Sequence, residues 1–211
     1  MQKIKYAALL LPLLILCGCT APLEIHRFQP APGQPDLTVI TKANEDHLRY
    51  ADPDYVVTAA LFEAQNVFVL SLEINNQTDS RINAQDYSVA LCDGRDLKPL
   101  LQFSREDIIN FKLAYESGQP IKTGEPAVDA ALTTVLKLFQ PSSRTETLKS
   151  LGQAIEDYFS FRPLYPRETR EGILCYHADF RLEYPLSLVV RIKDKTIVLK
   201  WLSAKGKGQK T

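Results

Sequence analysis

The chain has 211 residues with 25 basic and 25 acidic side chains, 45% hydrophobic content and four cysteines. A balanced charge excludes the basic footprint expected of a nucleic-acid-binding protein. The length supports one domain with a real core once the first residues are set aside.

Those first residues have the three-part layout of an export signal. Lys3 and Lys5 form a positive start, Tyr6 to Leu16 is an apolar run too short to span a bilayer comfortably, and the small Gly18 stands directly before Cys19. The segment Leu16-Cys17-Gly18-Cys19 resembles the lipobox of bacterial lipoproteins, with a leucine three places before the cysteine. The resemblance implies cleavage between Gly18 and Cys19, with lipid on the thiol and new amino group of Cys19. Cys17 fits that role less well, because the bulky Leu16 would occupy the small position. An ordinary cleaved signal or an uncleaved anchor is the alternative, and neither requires a cysteine here.

Each buried acyl CH₂ contributes about 0.8 kcal/mol, so several chains would hold the protein to a membrane that it does not span. Thr20 follows in place of the aspartate that retains enterobacterial lipoproteins at the inner membrane. The resemblance therefore implies the periplasmic side of an outer membrane, or the outer face of the plasma membrane in a cell without one. Removing Lys3 and Lys5 from 25 basic residues leaves 23 against 25 acidic ones, which again speaks against a nucleic-acid partner.

Residues 19–54 carry Pro22, Pro30, Pro32, Pro35 and Pro53 and no sustained period, and they read as a lipidated tether with one short strand at Leu37 to Ile40. A flexible segment of that kind reaches about 30 Å. His26 and His47 fall within it.

The domain is expected over residues 55–203. Tyr55 to Phe62 is rich in β-formers, and Val67 to Ile74 alternates apolar and polar positions. A polar loop, Asn75 to Ser80, leads to a third strand on Tyr87, Val89 and Leu91, closed by the turn signal Asp93-Gly94. Ile173 to Phe180, Leu186 to Ile192 and Thr196 to Leu202 give three more strands.

Between the two groups, at about 104–160, the period becomes helical. Ser104 caps an acidic first turn and Ile108, Phe111 and Tyr115 share a face. Pro126 opens a second stripe through Val128, Ala131, Leu132, Val135 and Phe139. Ser143 to Glu146 has the capping-box form before Leu148, Leu151 and Ile155. Residues 204–211 read as a disordered basic tail with Lys205, Lys207 and Lys210.

The fold class expected is mainly β with inserted helices (α+β), an antiparallel sandwich with a helical insertion between strand groups. The strand, polar loop and strand closed by Asp-Gly are similar to the immunoglobulin-like domains of many secreted and lipid-anchored bacterial proteins. The similarity is of pattern, from about Val56 to Leu202, and implies a module that binds or scaffolds.

Cys92 and Cys175 sit in strands from opposite halves of the domain and form a candidate disulfide in an oxidising envelope. Closing so long a loop would contribute about 4 kcal/mol in the chain-entropy model. Two separate buried thiols are the alternative.

Cys175, His177 and Asp179 alternate along one strand. Positions four apart on a strand are about 13 Å apart, so the three cannot share one ion and no metal or other cofactor is expected. No nucleophile elbow, zinc-protease motif, phosphate loop or Cys-x-x-Cys occurs, so no catalytic residue is assigned. The sequence thus points to a binding or scaffolding partner for another envelope protein or a cell-wall component. A carrier of a small apolar ligand or lipid and an envelope hydrolase are the alternatives.

Overall fold

The computed structural model describes residues 25–42, 45–64, 67–94, 97–118, 144–177 and 185–202. It is mostly antiparallel β, in two sheets with few helices, an arrangement compatible with a β-sandwich.

The strands, in chain order, are β1 (Ile25–Arg27), β2 (Gln29–Pro30), β3 (Leu37–Lys42), β4 (Glu45–Ala51), β5 (Tyr55–Ala64), β6 (Val67–Asn76), β7 (Tyr87–Asp93), β8 (Gln102–Phe103), β9 (Thr169–His177), β10 (Leu186–Ile192) and β11 (Lys195–Leu202). Two helices, α1 (Arg105–Ser117) and α2 (Arg144–Glu156), lie between β8 and β9 in the chain. The large sheet runs β3-β4-β5-β6-β9-β8, with β1 also paired to β5, and the small sheet runs β2-β11-β10-β7.

Alternation in the sequence places the core. Leu70, Leu72 and Ile74 of β6 point inward, as do Leu188, Val190 and Ile192 of β10 and Ile197, Leu199 and Trp201 of β11, all at most 3% exposed. One buried cluster joins them, so the two sheets share a single apolar layer. Burying a Leu, Ile or Val side chain contributes roughly 1.5–3 kcal/mol, which makes this layer the main source of stability.

A second cluster lies on the other face of the large sheet, where Phe103, Ile108, Phe111 and Ala114 meet Cys175. The start of α1 is fixed as expected. Ser104 Oγ accepts from the Asp107 N–H at 3.1 Å, Asp107 Oδ2 accepts from the Ser104 N–H at 2.7 Å, and Gly118 closes the helix with φ 69°. The stripe expected on residues 126–139 lies outside the described residues, as do the 204–211 tail and Asp179.

The tether expectation needs correction. Residues 25–51 carry four strands, and β3 and β4 extend the large sheet beyond β5. They escape a search for amphipathic alternation because they lie toward the sheet margin, where few positions are buried: in β3 none is, and in β4 only His47 and Leu48 are. The outer edge of β5 is divided, since β4 pairs with Val56 to Ala59 and β1 with Phe62 to Ala64.

Register fixes the two ends of the body. Ile25, Ala64, Val67 and His177 are together at one end of the large sheet. Asp93, Leu186 and Leu202 are at the corresponding end of the small sheet, because β2 follows β1 after one residue and pairs Gln29 with Leu202. Gly94 belongs to the same end: a Cβ there would stand 1.8 Å from the Pro185 carbonyl oxygen, so only glycine fits the turn. The described domain therefore receives and releases its chain at one end.

Candidate functional site

The residues singled out in the sequence do not converge. Gly18 and Cys19 lie outside the described residues. Cys92 and Cys175 are free thiols, which corrects the candidate disulfide. The reason is strand parity. On β7, Tyr87, Val89 and Leu91 face the shared core, so Cys92 faces away from it, on the outer side of the small sheet. On β9, Leu174 and Tyr176 face that core, so Cys175 points to the helices on the outer side of the large sheet. Burial pushes the Cys175 thiol up to about 12 and raises that of Cys92 as well. The signal was present in the sequence: Cys92 is one place out of step with the apolar stripe of its strand.

His47 is not in a tether but on β4, 7% exposed, where burial lowers its pKa. His177 closes β9, and its N–H donates to the Leu101 carbonyl at 2.9 Å. Among the described residues no group of three His, Cys, Asp or Glu is placed to hold a metal ion, and no helix is long and apolar enough to cross a membrane.

Open hollows mark the surface formed by the described residues. On the outer face of the large sheet, a hollow of about 340 Å³ is lined by Ile40, Lys42, Arg49, Thr58 and Glu73. Lys42 Nζ stands 2.9 Å from Glu73 and 3.6 Å from Glu171, and its bond to Glu73 raises its pKa. A second hollow of about 370 Å³, beside α2, is lined by Ser71, Glu156, Asp157, Tyr158 and Glu171. Its floor is tight, because residues 157–159 run directly over Gly172: a Cβ there would come within 2.7 Å of the Phe159 Cα.

The third hollow, about 190 Å³, lies on the outer face of the small sheet between Ala90, Cys92, Leu97, Val189, Arg191 and Val198. Here the exposed apolar side chains Leu97 and Val198 share the hollow with Arg191, and exposed Leu202 follows Lys200 on the same face of β11.

Two polar hubs brace the body, one partly buried at Asp52 and one buried at Arg170. Asp52 accepts from the Tyr50 hydroxyl at 2.5 Å, from the N–H groups of Asp54 and Tyr55 at 2.8 Å each, and from Lys195, the first residue of β11. Arg170, 6% exposed, donates to several groups of residues 160–168 and to Tyr87. Sequence reading missed both, since their partners lie far apart in the chain or are backbone carbonyls. Both hubs tie distant elements of the fold together, although the buried Arg170 Nε has no hydrogen-bond partner among the described residues.

No protein-family model and no curated protein matches the chain.

Proposed function

We propose that this protein is a lipid-anchored envelope module that binds or scaffolds another envelope protein or a cell-wall component, held by lipid on Cys19 at the periplasmic side of the outer membrane. The observation that carries this reading joins sequence and structure. The lipobox-like segment ends at Cys19, and the chain enters the large sheet at Ile25, six residues later. Six residues span at most about 22 Å, so lipid on Cys19 would confine the domain to a shell beside the bilayer. Confinement of that kind raises the effective concentration of the module toward membrane and cell-wall partners.

Within this proposal the domain is immunoglobulin-like. The order β5-β6-β9-β8 in one sheet and β7-β10-β11 in the other supports the reading, because it corresponds to A-B-E-D against C-F-G of a constant-type domain. The helices then form an insertion between strands D and E, while β1 to β4 are additions before strand A.

The experiment is mass spectrometry of the N-terminal peptide from membranes of cells producing the full-length chain, with Cys19→Ala beside it. Acylated Cys19 as the first residue, and release of the variant from the outer-membrane fraction, are expected. An uncleaved leader or an unmodified Cys19 sinks the anchoring; crosslinking from native membranes then reports whether the anchored form engages an envelope partner.

A further inference from the structure

We infer that the outer face of the small sheet rests on an anionic lipid surface. The inference deepens the anchored reading above and relies on it for the nearness of a bilayer.

Three observations converge on that face. First, apolar side chains are open on it among the described residues: Val198 is 36% exposed and Leu97 53% at the shallow hollow that Ala90 and Val189 also line, and Leu202 is 41% exposed at the end of β11. Large apolar side chains grouped on one face of a soluble domain mark a contact surface.

Second, the charge on its described outward strand positions has one sign. The outward strand positions of β7, β10 and β11 include Arg191 and Lys200 and no carboxylate, and neither residue makes an ion pair among the described residues. The outer side of the large sheet differs, because α1 and α2 cover part of it and the rest carries both signs, with Glu73, Glu171, Glu156 and Asp157 beside Lys42 and Arg49. An apolar centre with basic neighbours is the pattern that lies in the interface of an anionic bilayer.

Third, the described chain ends on this face. Leu202 is the last outward position of β11, and the next nine residues contain Lys205, Lys207 and Lys210 and no acid. Leu202 and Ile25, to which the basic segment and the anchor are joined in sequence, stand at the same end of the body. The link of at most about 22 Å matches the length of seven-residue β10, about 23 Å, which allows the body to lie down on this face.

The test places a polarity-sensitive fluorophore on the full-length protein at Val198→Cys, with Thr196→Cys as a second probe of the same face and Leu113→Cys on α1 as the control. Vesicles contain phosphatidylglycerol with phosphatidylethanolamine, or phosphatidylcholine alone, each with a headgroup-nitroxide lipid as quencher. Quenching at 198 and 196 well above that at 113, confined to anionic vesicles and reversed in 1 M salt, is the expected result, since screening there shortens to about 3 Å. Arg191→Glu with Lys200→Glu lowers it by about fivefold per residue.

Equal quenching at 198 and 113 overturns the inference. So does a probe at 198 that is equally shielded in detergent and in both vesicles, which would mean that a second protein copy covers the face. The mass of the N-terminal peptide separates the two readings: acylated Cys19 with an unquenched 198 sinks the face alone, and a quenched 198 with unmodified Cys19 sinks the anchoring alone.

Discussion

The Arg170 guanidinium of β9 donates to the Tyr87 hydroxyl of β7 at 3.2 Å, so a side chain of the large sheet is bonded to one of the small sheet inside the body. The same group donates to the carbonyls of Ser160 at 3.4 Å, Pro163 at 2.9 Å and Arg162, and to the Glu168 carboxylate at 2.6 Å. Arg170→Met keeps the volume but leaves the Pro163 carbonyl and Glu168 Oε1 without this donor, while the Arg162 carbonyl keeps the Tyr87 hydroxyl at 2.8 Å and the Ser160 carbonyl keeps the Arg162 N–H at 3.0 Å. A loss of roughly 3 kcal/mol or more is expected in urea unfolding, because removing one partner from a buried charged network is the costly case. Arg170→Lys should recover less than half of it, since an ammonium lacks the planar fork that reaches several carbonyls at once. A loss within about 0.5 kcal/mol for either variant would show that the network is incidental.

Acid sensitivity should be concentrated at Asp52. Burial alone would raise its carboxyl, but the bonds from Lys195, Tyr50 and the N–H groups of Tyr55 and Asp54 outweigh burial and lower it from 3.8 to about 2. A depressed carboxylate contributes stability that is present above its unfolded value and lost as pH falls through its folded value. The window is therefore pH 4 to pH 2, and the contribution is roughly 2 kcal/mol. Lys195 behaves in the opposite sense: its bond to Asp52 raises it from 10.5 to about 12, so its share is present below 10.5 and fades as pH rises through 12. Asp52→Asn should flatten stability between pH 4 and pH 2, measured by urea midpoints at half-unit steps. An unchanged slope would assign the acid response to other carboxylates.

Gly172 is predicted to accept no side chain. Its missing Cβ would lie 2.7 Å from the Phe159 Cα and 2.8 Å from both the Asp157 oxygen and the Phe159 nitrogen, all backbone atoms. These atoms belong to a segment bonded to β9 through Ile173, whose N–H donates to the Asp157 carbonyl at 2.7 Å and whose carbonyl accepts from the Phe159 N–H at 2.9 Å. Gly172→Ala must push that segment outward, at a cost of roughly 1–3 kcal/mol. Hydrogen exchange should quicken at Phe159 and Ile173 and leave β10 unaffected; a neutral substitution would mean that the segment yields freely.

The two domain thiols should stay unbonded even after purification without reductant. Peptides containing Cys92 and Cys175 are expected to take up alkylating reagent only when the protein is unfolded, because both side chains are buried and burial disfavours their thiolates. A peptide pair joined through 92 and 175 would contradict the placement of these cysteines on opposite outer faces.

The strands with a strong stripe were legible in the sequence. Leu186 to Ile192 matches β10 residue for residue, and the starts at Tyr55, Val67 and Tyr87 agree with β5, β6 and β7. Ser104 and Asp107 announced α1 because a capping box is a local contact. What stayed hidden is non-local or marginal. Strands β1, β2 and β8 have two or three residues, too few for a period to register, and they exist because a longer strand offers them an edge. The Glu45 to Ala51 stretch looked like loop because a charged side chain on a sheet margin stays in water even when its backbone is fully paired. For the candidate surface, Arg191 and Lys200 become neighbours of exposed Val198 only through register, and spacing in one dimension does not display that.

The pairing of Gln29 with Leu202 joins positions 173 residues apart. A chain made from its N-terminus therefore cannot complete its small sheet until almost the whole domain exists, and β2 must wait for β11. Contacts of such separation give slow, late-committing folding, because the entropy of closing the long loop is met before any local gain offsets it. During that interval β2 and the edge of β10 that later takes β11 stand unpaired, so the order of synthesis makes this sheet the last part of the described domain to become safe from association with other chains.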